Sequence, residues 1–278
     1  MNGVHGMNGV LRWPAEAIWE AVVPHLPGFT VEVLPEIDST NTELMRRARA
    51  GQFEPVLLVA ERQTAGRGRL GREWVSDPAA GLAARRGVSS LTFSLGLPLA
   101  PRDWSGLSLA VGLSVVESLH PDLALKWPND VWLHDRKLAG ILIETANGSD
   151  TPGRRYAVVG IGINLQSCSA EGLRTLPASL DELLPGLDAP QTLLRLAAPL
   201  VQAIQRFESR GFAPLQTRFN ARDALGGVAV TLSDGTAGTA QGVDACGALR
   251  VQTDQGLKVI TSAEVSVRPL SPPRCDGL

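Results

Sequence analysis

The chain has 278 residues, of which 44% are hydrophobic and 19% are charged, and its formal net charge is −2 at pH 7. That length holds one large domain or a large and a small one, and the balanced charge gives no global reason to bind nucleic acid or an anionic membrane. No apolar run reaches the roughly 18 residues that a membrane helix needs, and no secretion signal opens the chain. The three cysteines are far apart and suit a reducing compartment, so we expect a cytoplasmic protein without a membrane partner.

Strand and helix patterns alternate through the first four fifths of the chain, after a short leader of residues 1–35. Residues 38–41 carry capping side chains and predict the start of a helix that Gly51 ends. Pro128 divides residues 123–133 into two strands joined by a turn. The remaining predicted strands are 31–37, 55–60, 89–97, 137–145 and 156–164; the remaining predicted helices are 15–23, 105–120, 190–209 and 213–224; residues 78–87 predict a loop.

The pattern changes after Leu225, where short β-branched runs alternate with turn residues. This predicts a small antiparallel barrel of hairpins. We therefore predict a catalytic domain over residues 36–225, a small barrel over 226–270 and a disordered tail over 271–278.

The most informative segment is residues 65–74, with the sequence AGRGRLGREW. Glycine lets a backbone approach a ligand closely, and arginine offers a planar fork of donors that fits carboxylate or phosphate. The segment predicts a cationic loop that closes on an anion, although a solvated surface loop is the plainer interpretation. A dinucleotide-binding loop would need a helix after it, and Pro78 and Gly81 do not favour one. The dipeptide Gly-Lys of a phosphate-binding P-loop is absent from the sequence.

Three further segments place polar groups beside apolar strands. In KWPND and RKLAG, Asp130 lies at a turn and Lys137 begins a strongly apolar run, so they either line an anion site or form an ordinary ion pair across a hairpin. In GIGIN (160–164), glycines within a strand indicate either close approach by a ligand or a bulge. DSTN (38–41) is either a ligand grip at a helix N-terminus or only a helix cap. The sequence shows no metal-ligand cluster and no nucleophilic triad.

In their order and spacing these motifs resemble the biotin–protein ligases, which biotinylate the carrier domains of carboxylases. The resemblance covers roughly residues 36–225 through DSTN, Gln63 with AGRGRLGREW, KWPND, RKLAGILIE and GIGIN. It implies an α/β (α+β) fold with a mixed central sheet and packed helices. The catalytic domain would be of the class II aminoacyl-tRNA synthetase type, followed by a small SH3-like β-barrel.

The resemblance also implies a role for individual residues. Those implied for biotin are Ser39, Thr40, Asn41, Gln63, Arg67, Gly68, Arg69, Lys137, Gly140, Ile141 and Gly160. Those implied for ATP and the adenylate are Arg69, Arg72, Trp74, Lys126, Asn129, Lys137 and Asn164. Lys137, Arg69, Arg67 and Asp130 would be catalytic, and magnesium would arrive with ATP, with Asp130 as a candidate protein ligand.

The implied reaction uses biotin, ATP and Mg²⁺, and its partner is the biotin carboxyl carrier domain of acetyl-CoA carboxylase or a related carboxylase. The resemblance also allows a homodimer. The segment before Asp38 is too short for the winged helix-turn-helix of some relatives, so we expect no specific DNA binding. Two alternatives stay open at this point: a lipoate or octanoate ligase of the same fold, and a non-enzymatic nucleic-acid-binding module.

Overall fold

The computed structural model describes residues 11–75, 88–148, 153–167, 177–261 and 267–269. The predicted loop of residues 78–87 and the predicted tail of residues 271–278 lie outside these ranges. No helix among the described residues is both long and apolar enough to cross a bilayer.

A seven-stranded mixed sheet forms the centre of the larger domain. Its strands are β1 (Thr30–Ile37), β2 (Val56–Gln63), β3 (Ser90–Leu99), β4 (Ala124–Lys126), β5 (Asp130–Leu133), β6 (Arg136–Asn147) and β7 (Arg155–Asn164). Their spatial order is β1-β2-β3-β7-β6-β5-β4. β1 and β2 are parallel and the other neighbours are antiparallel, so the sheet is mixed as predicted.

Among the described residues, five α-helices accompany the strands: α1 (Ala15–Val22), α2 (Thr40–Arg49), α3 (Leu107–Leu119), α4 (Ala189–Arg210) and α5 (Gln216–Asn220). α3 is apolar on every side and ten of its residues are buried, because it lies between the sheet and α4. α2 packs on β3, β6 and β7 and buries Leu44 and Met45 in a separate, smaller core. In the described part of the chain, the sheet therefore carries a thick apolar layer on one face and the short helix α2 on the other.

The alternation of side chains along β3 separates these two faces. Leu91, Phe93 and Leu95 belong to the large core, whereas Thr92 and Ser94 point to the opposite face, where α2 lies. The α2 face is consequently lined by small and polar residues where β3, β6 and β7 meet.

The C-terminal residues form a second, five-stranded antiparallel sheet. Its strands are β8 (Ala229–Leu232), β9 (Ala237–Val243), β10 (Leu249–Thr253), β11 (Gly256–Ile260) and β12 (Val267–Pro269), in the order β11-β10-β9-β8-β12. This confirms the predicted small β domain of hairpins. Among the described residues the strand pairing is open, and no pair joins β11 to β12 to complete a barrel.

The two sheets meet at the turn between β9 and β10. The buried Trp127 indole donates a hydrogen bond to the Gly247 carbonyl (Nε1 to O, 3.0 Å). β4 also pairs with the segment that connects α5 to the small sheet: the Leu125 amide donates a hydrogen bond to the Arg222 carbonyl (2.7 Å). The Trp127–Pro128 peptide bond between β4 and β5 is cis. The KWPND turn is therefore held from behind by the C-terminal domain.

Three predicted boundaries need correction. The strand predicted at 31–37 is present and starts at Thr30, so the end of the predicted leader (1–35) overlaps β1 of the central sheet. The strand predicted at 55–60 continues to Gln63, because its parallel pairing with β1 extends that far. The helix predicted at 213–224 is only a 3₁₀ turn (Ala213–Leu215) and α5, since residues 222–224 leave the helix to pair with β4.

Replacing Gly247 by alanine should destabilise the protein more than replacing Gly235. Both glycines have a left-handed φ, of +82° and +83°, and both would incur the backbone strain of roughly 1–3 kcal/mol that a side chain meets there. A Cβ at Gly247 would also lie 2.9 Å from the Gly106 Cα, whereas a Cβ at Gly235 would meet nothing within 4 Å. We expect Gly247→Ala to cost about 1–3 kcal/mol more in the free energy of unfolding by urea. Equal losses would show that the domain contact tolerates the added methyl group.

Asp223, which lies between α5 and β8, should make the free energy of unfolding depend on pH. Its Oδ1 accepts a hydrogen bond from the Leu225 amide, and its buried Oδ2 has no partner within the described residues. Burial raises the pKa of Asp223 from 3.8 to about 6. The bound proton therefore stabilises the fold fully below pH about 4, and this stabilisation is lost as the pH rises through 6.

The variant Asp223→Asn keeps the acceptor for Leu225 and cannot ionise. Relative to the wild type, it should be more stable at pH 8 by an amount on the order of 2–3 kcal/mol and show no such advantage at pH 4. The measurement is urea unfolding of both proteins across this range. A stability difference that does not change with pH would contradict the argument.

Candidate active site

One cleft brings together all five motifs that the sequence singled out. It lies on the α2 face of the central sheet, above the meeting point of β3, β6 and β7. Its lining includes residues of α2, the segment after β2, the KWPND turn and three strands: Ser39, Thr40, Asn41, Gln63, Arg67, Gly68, Arg69, Arg72, Glu73, Trp74, Thr92, Phe93, Asn129, Asp130, Lys137, Gly140, Ile141, Leu142, Gly160, Ile161 and Gly162.

The N-terminus of α2 forms one wall of the cleft. Ser39 is the N-cap of this helix, and its hydroxyl accepts a hydrogen bond from the Thr42 amide (3.4 Å), so the capping interpretation is correct. The same residues also line the cleft, which means that capping does not exclude a binding role. Thr40 is fixed by Gln63, whose Oε1 accepts from the Thr40 amide (2.7 Å) and lies 3.2 Å from its hydroxyl.

Ser94 connects these residues from the sheet below. It is fully buried on β3, and its Oγ lies 2.7 Å from both the Thr40 Oγ1 and the Asn41 Oδ1. Ser94 is not among the predicted site residues. Its signal was present in the segment SLTFSLGL, where polar or small residues occupy every second position of an otherwise apolar strand.

Protein groups hold both ends of the Asn41 amide. Its oxygen is bonded to Ser94, and its Nδ2 donates to the Leu142 carbonyl (3.2 Å) and to the Glu144 carboxylate (3.0 Å). Space for the amide comes from Gly160, where a Cβ would lie 2.0 Å from the Asn41 Oδ1. One glycine of GIGIN therefore makes room for a neighbouring side chain rather than for a bulge in the strand.

The Arg/Gly segment folds as a short hairpin over the cleft; we refer to residues 66–74 as the loop hairpin. Its two arms are joined by backbone hydrogen bonds from Gly68 to the Arg72 carbonyl (2.7 Å) and from Trp74 to the Gly66 carbonyl (2.9 Å). Leu70 at its tip has a left-handed φ of 57° and an exposed side chain. The alternating arginines are thereby presented on a closed backbone that faces the cleft.

The Trp74 indole lies over the glycines of the sheet. A Cβ at Gly162 would be 2.4 Å from its Cε2, and one at Gly140 would be 3.4 Å from its Cζ3. Gly140 and Gly162 are direct partners in the β6–β7 pairing, so together they form a flat seat for the ring. The indole Nε1 is buried and has no hydrogen-bond partner within the described residues.

Lys137 and Arg69, two cations of the cleft, have partners on neighbouring strands and turns. Lys137 pairs with Asp130 across the β5–β6 hairpin (Nζ to Oδ1, 2.8 Å), and its ammonium lies 5.8 Å from the Trp74 ring centroid. The ion-pair interpretation of these two residues is thus correct, and both still line the cleft. Arg69 donates to the Asn129 Oδ1 (3.2 Å). Burial lowers the pKa of the Arg69 guanidinium, although such a group stays charged.

Two predicted adenylate residues are not part of the cleft lining. Lys126 lies on the neighbouring strand with its ammonium 5.1 Å from the Trp132 ring centroid. The Asn164 amide donates to the Ala178 carbonyl (3.1 Å) and the Lys137 carbonyl (3.4 Å), so it fixes the backbone beside the cleft. Their predicted contacts with the nucleotide stay predictions.

The sequence matches two protein-family models, and both describe ligases. A model of the biotin/lipoate A/B protein ligase family matches residues 33–164, and a model of the biotin protein ligase C-terminal domain matches residues 227–268. The chain is therefore a ligase, built from a catalytic domain of the biotin and lipoate ligase class and a C-terminal domain of the biotin ligase type.

Individual relatives narrow this class. The chain is 34% identical to the bifunctional ligase/repressor BirA of Escherichia coli over 261 residues, covering 89% of this chain and 77% of that protein. It is 35% identical to the biotin–[acetyl-CoA-carboxylase] ligase of Paracoccus denitrificans, covering 84% of this chain and 98% of that one. A biotin protein ligase from Aquifex aeolicus, solved in complex with biotin and ATP, is 30% identical, with a TM-score of 0.68 over 86% of this chain and 98% of that chain. The chain belongs to the biotin protein ligase family.

Membership of this family confirms the predicted fold class and decides between the alternatives. The Paracoccus relative and the solved structure are biotin ligases, which favours biotin over lipoate or octanoate, and an enzyme over a non-enzymatic nucleic-acid-binding module.

Removing the Ser94 hydroxyl should lower the free energy of unfolding, because it breaks a buried hydrogen bond beneath the cleft. Ser94→Ala leaves the Asn41 amide oxygen buried and unpaired, which costs roughly 1–3 kcal/mol. Ser114→Ala is the matched control, because it removes a buried hydroxyl on α3, away from the cleft. Urea unfolding of the two variants should show the larger loss for Ser94→Ala. Equal losses would mean that the hydrogen bond adds nothing to stability.

Proposed function

We propose that the cleft binds biotin and ATP, joins them as biotinyl-5′-AMP, and then transfers biotin to a lysine of a biotin carboxyl carrier domain. The observation that carries the proposal is the convergence of Lys137 and the arginines of the loop hairpin on a floor of small, hydrogen-bonding residues. The floor suits an uncharged polar ring, and the cations suit a carboxylate next to a phosphate. The acceptor is a carrier domain of acetyl-CoA carboxylase or a related carboxylase, and we place the reaction in the cytoplasm.

The first step requires neutralisation of two negative groups. An oxygen of the biotin carboxylate attacks the α-phosphorus of ATP, a mixed-anhydride bond forms, and the bond from that phosphorus to the oxygen bridging to the β-phosphate breaks, releasing pyrophosphate. Arg67, Arg69 and Lys137 face this position and lower the repulsion between carboxylate and phosphate. Asn129 steadies the Arg69 guanidinium, since its own Nδ2 is tied to the Ile141 carbonyl (2.8 Å).

The floor and the loop hairpin orient the acid. Ser39, Thr40 and Gln63 supply hydroxyl and amide groups for the ureido ring, beside the Asn41 amide that Gly160 accommodates. The Trp74 Nε1, which has no partner within the described residues, supplies a donor at the edge of the ring for a ligand in the cleft. When the loop hairpin and its Trp74 ring cover the adenylate, they keep water away from the mixed-anhydride bond, which hydrolyses easily.

In the second step the acceptor lysine amine attacks the carbonyl carbon of the adenylate. An amide bond forms, AMP leaves with the bonding electrons, and the amine loses a proton. Asp130 is suited to orient the amine through its Oδ2, because its Oδ1 already bonds to Lys137.

Magnesium fits this site as a companion of ATP rather than as a resident ion. Within the described part of the chain no three metal-ligating side chains come together, and Asp130 is the one carboxylate of the KWPND turn. Mg²⁺ is commonly held by one or two carboxylates together with substrate phosphates, and it would offset phosphate charge here. Asp130 is the residue that would hold it from the protein side.

Pyrophosphate release in the presence of ATP and biotin tests the proposal, with lipoate as the competing acid. We expect release with biotin and little with lipoate. No release with biotin, or equal release with both acids, would refute the proposed substrate.

Lys137→Ala should lower the single-turnover rate of biotinyl-AMP formation by roughly 10²–10³-fold, since it removes a cation that faces the developing charge. Lys258→Ala is a closely matched control: both lysines form a 2.8 Å pair with an aspartate, and their side chains are 42% and 43% exposed. Lys258 lies on β11, far along the chain from the cleft motifs, and its loss should leave the rate unchanged. A similar rate for both variants would remove Lys137 from the catalytic set.

A further inference from the structure

We propose that Glu144 is a positioning residue that ties the loop hairpin to the floor of the cleft, so that Arg67 is aimed before any ligand arrives. Glu144 lies on β6, four residues after Gly140, and neither the motifs nor the implied ligand set gave it a role. The inference rests on the proposed function for its catalytic consequence, although the link itself can be tested without substrate.

The Glu144 carboxylate connects two of the predicted biotin-binding residues. Its Oε1 pairs with the Arg67 Nη2 at 3.1 Å, and its Oε2 accepts from the Arg67 Nη1 at 3.3 Å. The same Oε2 accepts from the Asn41 Nδ2 at 3.0 Å. The guanidinium is thus held by two parallel contacts, which fix its plane as well as its position.

The anchor behind the carboxylate is rigid. The Asn41 amide is fixed by Ser94 and by the Leu142 carbonyl, and it fits only because Gly160 has no side chain. Both Nδ2 donors of Asn41 already have protein partners, one of them the Glu144 carboxylate, so Asn41 orients Glu144. The contact with biotin that the family resemblance implied for Asn41 stays a prediction.

Fixing Arg67 also restrains the loop hairpin. Arg67 pairs with Glu73 across the hairpin as an isolated β-bridge, and Trp74 follows immediately on its glycine seat. The Arg67 and Glu144 side chains are 49% and 22% exposed, so the pair is partly screened by solvent and a moderate effect is expected. Loss of the carboxylate should therefore loosen residues 66–74 and weaken biotin capture.

The first test is limited trypsin digestion of the free protein, with cuts after Arg67, Arg69 and Arg72 assigned by peptide mass. Glu144→Gln keeps an oxygen for Asn41 and removes the charge that holds Arg67. We expect cleavage at these sites to rise roughly threefold to tenfold. Glu117→Gln is the control, because it removes a glutamate–arginine pair of similar exposure on α3. Equal cleavage in wild type and Glu144→Gln would overturn the proposal.

The second test is a double-mutant cycle of Arg67→Gln and Glu144→Gln, read as kcat/KM for biotin in adenylate formation. Glu144→Gln alone should lower this value by about tenfold, mainly through KM, and by less than about twofold when Arg67 is already glutamine. Additive effects would show that Glu144 acts independently of Arg67. An increase in kcat/KM for Glu144→Gln would show that it competes with the ligand for Arg67, which also overturns the proposal.

Failure of the Glu144–Arg67 link can be distinguished from failure of the proposed function. Because digestion needs no substrate, a wild-type protein that forms no biotinyl-AMP refutes the proposed function and leaves the link testable. If Glu144→Gln fails to fold, Arg67→Gln breaks the same link from the exposed side, and cleavage after Arg69 and Arg72 should rise in that variant. Unchanged cleavage there would refute the link.

Discussion

The site depends on the lack of side-chain bulk on one face of the central sheet. Gly140, Gly160 and Gly162 remove it from β6 and β7, and Thr92 and Ser94 keep it small on β3. Glycine weakens a strand, so such a surface survives only where the opposite face is well packed. Here the opposite face packs against α3 and α4 in a continuous apolar core. Each Å² of apolar surface buried there contributes roughly 25 cal/mol to the free energy of folding. The apolar layer thereby stabilises a hollow that would not form alone.

Charge is distributed unevenly within that hollow. The floor consists of neutral groups that bond to one another, which fixes their orientation without placing unpaired charge in the sheet. The cations lie on the loop hairpin and at the start of β6, where Arg67, Arg69 and Lys137 are held by Glu144, Asn129 and Asp130 respectively. A ligand with a neutral head and an anionic tail matches this arrangement from end to end.

Most elements of the fold follow from patterns within a few residues, and the predicted strands and helices are present with shifted ends. The apolar helix α3 was recognisable because it is hydrophobic on every side, and the small sheet because turn residues recur at short intervals. The exceptions involve distant partners: β1 and the end of β2 depend on each other, and residues 222–224 are drawn out of a helix by β4. Such pairings depend on segments that local periodicity does not include.

For the site, the sequence by itself determined which chemistry is present: the cap of α2, the Arg/Gly loop, the Lys137–Asp130 hairpin and the glycines of β7. These are local signals, since capping, turn formation and ion pairing across a hairpin involve residues close in the chain. Only the tertiary structure decided which groups meet. Glu144 reaches Arg67 and Asn41 across 77 and 103 residues, and Ser94 reaches Asn41 across 53. Strand register sets those distances, because a shift of one residue would turn Ser94 and Glu144 to the opposite face.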